Sequence, residues 1–346
     1  MSRILVTGGS GYFGSLLAAR ALARGDAVRI LDLNPPGREL GAVDYVAGDV
    51  RDRAAVRAAC TDVDIVFHNV AQVPLARDRA LFESVNVGGT ARVLAAARDA
   101  GVGKVVHTSS SAIFGIPETN PVREDTRPRP LEAYGRAKLE AEQVCADAVA
   151  AGLDITVVRP RTILGHGRLG IIAVLFEFVA DGAPVFVLGD GANRYQFVHA
   201  ADLADACLLA GDRPGPAVYN VGATDFGTMR ETLEALVAHA ATGSRVRSLP
   251  LGPARAAMRV LAGAGAVPFA PYHWLLYGES LWFDTTRARS ELGWSAQHSN
   301  ASMIIESYEW FLAHRSELAT ANADEARSHH QSAVRPGLLR LLKRLP

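Results

Sequence analysis

Between residues 1 and about 160 two kinds of hydrophobic pattern alternate. Short continuous apolar runs occur at Ile4–Val6, Val28–Leu31, Asp44–Val46, Ile65–Phe67, Lys104–His107 and Ile155–Val158. Between them apolar positions recur at helical spacing, most plainly over Arg79–Ala100 and Leu131–Ala151. Apolar strands separated by helices predict an α/β fold, a doubly wound parallel sheet covered on both faces. Ligands of such a sheet sit beyond the carboxyl ends of its strands. Those ends carry Gly8, Asp32, Asp49, Asn69-Val70-Ala71 and Ser109-Ser110-Ser111. After Arg159-Pro160 the alternation loosens. Helices are predicted at Ile171–Asp181, Ala201–Asp212, Thr228–Ala241, Thr286–Leu292 and Met303–His314, with a turn at Gly189–Asn193. The expected layout is a ligand-binding sheet domain over 1–160 and a smaller, interleaved substrate region over 161–317. A polar tail that turns basic and amphipathic follows over 318–346.

Composition narrows the class without choosing a ligand. Of 346 residues 49% are hydrophobic, enough for a sizeable core, and 36 basic side chains balance 36 acidic ones. No global field draws the chain to nucleic acid. Cys60, Cys145 and Cys207 lie far apart and form no CxxC pair, which points to a reducing, cytoplasmic setting. No signal peptide is expected ahead of the first strand. The longest apolar stretch, Val260–Tyr272, is interrupted by Gly263, Gly265, Pro268 and Pro271, so no membrane span is predicted. The segment 334–346 has the pattern of a peripheral membrane or partner contact, or of a tail packed on the body. Adjacent His329 and His330 do not make a metal site, because neighbouring side chains seldom converge.

Two stretches carry chemistry. In Thr7-Gly-Gly-Ser-Gly-Tyr-Phe-Gly14, Gly8, Gly11 and Gly14 fall three apart, between a strand and a helical pattern. Such a turn lets backbone approach a pyrophosphate, and the helix start offers free N–H groups. Asp32 closes the next strand, where an acid hydrogen-bonds a ribose 2′-hydroxyl and repels a 2′-phosphate; NAD is therefore expected over NADP. In Tyr134-Gly-Arg-Ala-Lys138 the phenol and the ammonium share a helix face. An ammonium beside a phenol favours the phenolate, suiting the tyrosine to general acid/base work. A serine of the run 109–111 lies at a strand end, placed to hydrogen-bond the same substrate oxygen.

These motifs, with Gly48-Asp-Val50, His68-Asn-Val-Ala71, Asn86-Val-Gly-Gly-Thr90, Phe197–Leu203 and Asp284…Leu292-Gly-Trp294, resemble an extended short-chain dehydrogenase/reductase of the NAD-dependent epimerase/dehydratase group, over roughly residues 3 to 315. The resemblance implies a Rossmann-type sheet, an enzyme, a small-molecule substrate and a homodimer built on helices 79–100 and 131–151. It implies cofactor contacts from Gly8, Gly11, Tyr12, Phe13, Gly14, Asp32, Asp49, Val50, Val70, Ala71, Lys138 and Pro160. Tyr134 would be the acid/base and Lys138 its partner. Counting back from Gly115 places the catalytic serine at Ser110, with Ser111 a competitor and Ser109 less so. No acid pair follows that serine, which argues against a dehydratase. Thr162 stands where nucleotide-sugar epimerases often have Asn, and Tyr195 where they place a phosphate-binding Arg. Arg161, Arg168 and Arg194 are candidates to build a diphosphate site, since arginine forks suit phosphate. The leading expectation is an NAD-dependent epimerase or oxidoreductase on a nucleotide-sugar-type alcohol. The second is an apolar-ketone reductase of the 3β-hydroxysteroid dehydrogenase-like type, with Pro268, Phe269, Tyr272, His273 and Trp274 lining a pocket. A non-catalytic NAD-binding scaffold is the third, and the intact Ser110, Tyr134 and Lys138 set argues against it.

Overall fold

The computed structural model describes residues 1–41, 43–72, 79–168, 170–263 and 276–320. Its centre is a seven-stranded sheet, parallel throughout. The strands are β1 (Arg3–Thr7), β2 (Ala27–Asp32), β3 (Asp44–Ala47), β4 (Ile65–His68), β5 (Lys104–Thr108), β6 (Ile155–Pro160) and a strand at Ala217–Val221. Spatial order runs from 217–221 through β6, β5, β4 and β1 to β2 and β3. All six expected strands are present; the seventh, from the second half of the chain, was not expected.

Alternation along the strands sorts their side chains into two cores, one on each face. Ile4 and Val6 of β1, with Ile65 and Phe67 of β4, pack against the helix α1 (Tyr12–Ala23) and the helix at Ala200–Asp212. Leu5 and Val66 point the other way, toward α2 (Arg53–Cys60), α4 (Gly88–Asp99) and α5 (Ala133–Ala150). The expected helix over Arg79–Ala100 is not continuous: α3 (Arg79–Phe82) passes into a wider π turn at Glu83–Val87 before α4 begins. Such turns occur often at functional sites. Here the turn holds Asn86, whose amide oxygen accepts from Gln72 N (2.8 Å) and whose amide nitrogen donates to Gln72 O (3.2 Å). The loop after β4 is thereby pinned.

The second half adds β7 (Thr162–Leu164), α6 (Ile172–Ala180), β8 (Val185–Leu188), β9 (Phe197–His199), α7 (Ala200–Asp212), β10 (Ala217–Val221), α8 (Met229–Ala240), β11 (Val246–Leu249), α9 (Leu251–Gly263), α10 (Thr286–Leu292) and α11 (Asn300–Thr320). The five expected helices are here, but the pairs β7–β9 and β8–β11 were missed. Strands of three or four residues are too short to show a period. A separate core gathers Phe176, Phe178, Leu233, Leu236, Tyr308 and Phe311. Asp202 ties α7 to the segment after α10: its carbonyl accepts from Trp294 Nε1 (2.8 Å) and its carboxylate from Gln297 N and His298 N (3.1 Å each). No described helix is long and apolar enough to cross a membrane. The tail 321–346 and the residues 264–275, with the aromatic cluster expected at Pro268–Trp274, lie outside the described residues.

Two histidines lie deep in the sheet and make stability sensitive to acid. Thr90 donates its one hydroxyl proton to Asn86 O (2.6 Å), so it accepts from His68 Nε2–H (3.0 Å). His68 Nδ1 then accepts from the Thr7 hydroxyl at 2.8 Å. His107 lies beside it, ring centroids 5.3 Å apart. Burial first, then the Lys138 cation, lowers His68 to about 3 and holds His107 well below the ordinary imidazole range. Both are neutral in the fold and take up protons once unfolded. Their stabilisation is therefore complete above about pH 6.5 and is lost as pH falls from there toward 3, at about 1.4 kcal/mol per pH unit for each histidine. The urea midpoint is expected to drop between pH 7.5 and 5, and less steeply in His68→Gln. A flat wild-type profile contradicts this.

Candidate active site

The site begins where β1 turns into α1. Gly8 has φ +72° and receives close approach from the loop after β4: an added Cβ would lie 3.1 Å from Val70 Cγ2 and 3.2 Å from Val70 N. Gly14 is tighter, since a Cβ there would fall 2.7 Å from the Gly8 carbonyl carbon and 2.8 Å from Gly9 Cα. The helix starts at Gly11 with no side-chain cap, so its first N–H groups remain open to an anion. At the end of β2, the Asp32 carboxylate accepts from Ser10 N (3.1 Å) and Asn34 N (3.0 Å), joining the glycine turn to its neighbour. Burial raises the pKa of this carboxyl, and the backbone donors pull the other way. Asp49 is held by Arg51 at 2.5 Å, which keeps its carboxyl below the usual range, and Val50 is buried. Pro160 ends β6.

Side chains from β5, the turn after it, and α5 assemble the chemical centre. Glu132 caps α5 with both carboxylate oxygens, on Tyr134 N and Gly135 N (2.6 Å each). Glutamate is an unusual residue at that position, and nothing in the sequence marked it. The cap fixes the first turn of the helix and with it Tyr134, whose ring stands edge-on to Phe82. The Ser110 hydroxyl accepts from Ala112 N (3.2 Å) and lies close enough to the Tyr134 phenol to favour its ionised form. Burial pushes the phenol up to about 12, and the Ser110 hydroxyl opposes it. Lys138, almost fully buried, donates to Thr108 O at 2.8 Å, and burial brings its ammonium down to about 8. Arg168 adds a smaller downward pull on the phenol and also lies over the Tyr12 ring at 5.5 Å. Arg168 thus links the glycine turn to Tyr134.

The other serines are engaged. Ser109 Oγ donates to Glu142 Oε1 at 2.5 Å, within a buried Arg159–Glu142 pair. Ser111 Oγ accepts from Arg161 Nη1 at 2.8 Å. Of the three, Ser110 is the one whose hydroxyl acts on the Tyr134 phenol. Arg161 and Thr162 meet at Tyr195: the guanidinium lies 4.8 Å from its ring centre and the threonine hydroxyl 2.9 Å from its Oη. Arg194 is held elsewhere, exposed over Phe226 and Trp282. The four expected substrate residues therefore divide into an Arg161–Thr162 group, Arg168, and a separate Arg194.

Behind Tyr12 lies a polar cluster that sequence reading did not find. Glu306 Oε1 is 2.7 Å from His166 Nε2 and 3.4 Å from His199 Nε2, and His298 stacks on His199. His199 Nδ1 accepts from Ala201 N at 3.2 Å, capping α7. Its proton therefore sits on Nε2, facing Glu306. The Nδ1 lone pair is taken up by Ala201 N, and the buried Nε2 faces Glu306 without a hydrogen-bond partner.

Comparison with known proteins places these features in a group. The model of the NAD dependent epimerase/dehydratase family matches residues 4–222. The uncharacterized protein y4nG of Sinorhizobium fredii is 49% identical over 98% of this chain and 85% of its own length. A UDP-glucose 4-epimerase of Mycolicibacterium smegmatis is 31% identical over 89% of this chain and 98% of its own. Among solved structures, MoeE5 in complex with UDP-glucose and NAD is similar with a TM-score of 0.70 at 26% identity, covering 91% of this chain and 99% of that one.

Proposed function

Because the chain belongs to the NAD-dependent epimerase/dehydratase family, we propose that it acts at a secondary alcohol or ketone of a nucleotide-sugar-type substrate, as an epimerase or a net oxidoreductase. The observation that carries this reading is the gathering of Ser110, Tyr134 and Lys138, with the serine hydroxyl acting on the phenol and Lys138 anchored on the carbonyl of Thr108. The residues present fit the cofactor. Gly14 leaves no room for a side chain, the uncapped start of α1 presents N–H groups to a pyrophosphate, and Asp32 stands one strand over for a ribose hydroxyl. NAD, when bound, supplies the hydride acceptor.

The protein's own part is proton transfer and positioning. Tyr134 Oη takes the proton of the substrate hydroxyl as oxidation proceeds and returns it on reduction. Ser110 Oγ, beside that phenol, orients the substrate oxygen. Lys138 is fixed by its bond to Thr108, so its charge stands at a set place one helical turn from Tyr134 and would hold a ribose hydroxyl of the cofactor. Holding alcohol and hydride acceptor in one geometry removes the entropic cost of a bimolecular encounter. An epimerase and a dehydrogenase share these steps and differ in whether the ketone is reduced again before it leaves.

Two measurements test the proposal. Asp32→Ala is expected to weaken NAD about tenfold, the loss of about 1.4 kcal/mol from charge-assisted hydrogen bonds, and to relax discrimination against NADP. Equal wild-type affinities for NAD and NADP contradict the role given to Asp32. A thermal-shift series with NAD present then sets UDP-sugars against apolar ketones, since a ligand of the folded state raises its melting point. The apolar-ketone reading is supported by one feature: α9, at the start of the apolar segment, leaves Val260 and Leu261 exposed. A shift with apolar ketones and none with UDP-sugars selects that reading. We place a homodimer contact on α4 and α5, to be checked by light scattering.

A further inference from the structure

Two buried arginines stand two residues apart at the end of β6, and they differ in one respect. Arg159 is fully matched: Nε and Nη2 donate to the two oxygens of Glu142 (2.9 and 2.6 Å), and Nη1 donates to Glu124 O (2.9 Å). Arg161 is 1% exposed, the largest of the fully buried side chains. Only its Nη1 is engaged, on Ser111 Oγ. Nε and Nη2 are both buried and have no hydrogen-bond partner. No carboxylate pairs with it among the described residues; its neighbours are the rings of Tyr195 and Phe283, at 4.8 and 5.7 Å.

A guanidinium cannot shed its charge, and ring contacts offset only part of the cost of burying it. The two unmatched donors, Nε and Nη2, form one edge of the plane, the edge that grips a carboxylate with two parallel bonds. Arg161 Nη1 is tied to Ser111, the residue after Ser110, which brings the guanidinium to the strand-end side of the sheet from which Ser110 and Tyr134 act.

We propose that Arg161 recognises a carboxylate carried by the substrate close to the alcohol that Tyr134 acts on, so that the preferred substrate is an acidic sugar of the uronate type. This rests on the nucleotide-sugar reading above. Nε and Nη2 are screened from water, so the carboxylate reaches them as the Tyr195 or Phe283 ring turns aside. It then exchanges its hydration for the charge-assisted fork. A neutral sugar leaves the fork unmatched and is disfavoured on that account.

The test is affinity of the NAD-loaded protein for UDP-glucuronate, UDP-glucose and UDP. The wild type is expected to bind UDP-glucuronate at least tenfold more tightly than UDP-glucose. In Arg161→Gln that preference should fall below twofold, with affinities for UDP and NAD unchanged. Arg161→Lys, which keeps the charge and loses the fork, serves if the Gln variant does not fold, and should lose most of the preference. Equal wild-type affinities for the two sugars, or a preference that survives both variants, overturns the proposal. A loss of UDP affinity in Arg161→Gln assigns the fork to the diphosphate and also overturns it. If no UDP compound binds, the nucleotide reading fails by itself. The carboxylate is then judged on NAD reduction with a β-hydroxy acid against its methyl ester, and faster turnover of the ester rejects it.

Discussion

Tyr134→Phe is expected to lower turnover by about 10²–10⁴-fold, the usual worth of a positioned acid/base, while NAD affinity stays near the wild-type value. Phenylalanine keeps the edge-on packing against Phe82 and the cap from Glu132 to the backbone, so the change removes the hydroxyl and little else. Both kcat and kcat/KM should fall together, the mark of an interaction made in the transition state. The wild-type pH profile supplies a second check. Burial holds the phenol at about 12, so the phenolate that oxidation requires is scarce at neutral pH. Oxidation is therefore expected to speed up from pH 7 to 9, and the reverse reduction, which needs the protonated phenol, is not. Unchanged turnover in Tyr134→Phe removes Tyr134 from the mechanism, whatever the profile shows.

The second large effect lies at the other end of the cofactor. In Gly14→Ala the new methyl overlaps the carbonyl of Gly8 and the Cα of Gly9. These are backbone atoms of the turn that would carry the pyrophosphate, and they have no rotamer through which to retreat. The overpacking should cost about 1–3 kcal/mol of stability or more and reduce NAD affinity by at least 100-fold, because the turn must open to admit the methyl. Gly252→Ala is the control. It lies in α9, with nothing within 4 Å of an added Cβ, and should be neutral or stabilising by up to about 1 kcal/mol. Isothermal titration with NAD and a urea melt on both variants decide. Normal NAD binding by Gly14→Ala refutes the reading of the turn.

Legibility in the sequence followed the length over which a physical pattern repeats. Six sheet strands were visible because each is a continuous apolar run flanked by helical spacing. The glycine turn was visible because three glycines at fixed spacing meet a strand and a helix. The pair Tyr134 and Lys138 was visible because four residues make one helical turn. Hidden features depend on contacts distant in sequence. β10 pairs with β6 although 56 residues separate Pro160 from Ala217. The π turn at Glu83–Val87 serves the Asn86–Gln72 clasp, and no local propensity announces it. The bond from the Lys138 ammonium to the carbonyl of Thr108 and the nearness of Arg168 to the phenol also join residues far apart in sequence. Arg161 was read as one of several phosphate arginines, since sequence cannot distinguish a buried guanidinium from a surface one. The Ser110 and Ser111 alternatives were separated only by seeing which hydroxyl meets Tyr134 and which meets Arg161.

The return of β10 to the sheet bears on how such a chain diversifies. With β10 as the outer strand and α7 packed beside α1, the oxidising half is complete only at residue 221. What lies outside the sheet is two outgrowths, 161–199 and 222 onward, the second of which returns Ala288 and Trp294 to the sheet's core. Cutting the chain at residue 160 would bare the flank of β6 and yield no independent half. Mutations confined to the outgrowths can change what is recognised while the hydride-transfer frame stays intact. A lineage could in this way exchange substrates without reinventing its chemistry.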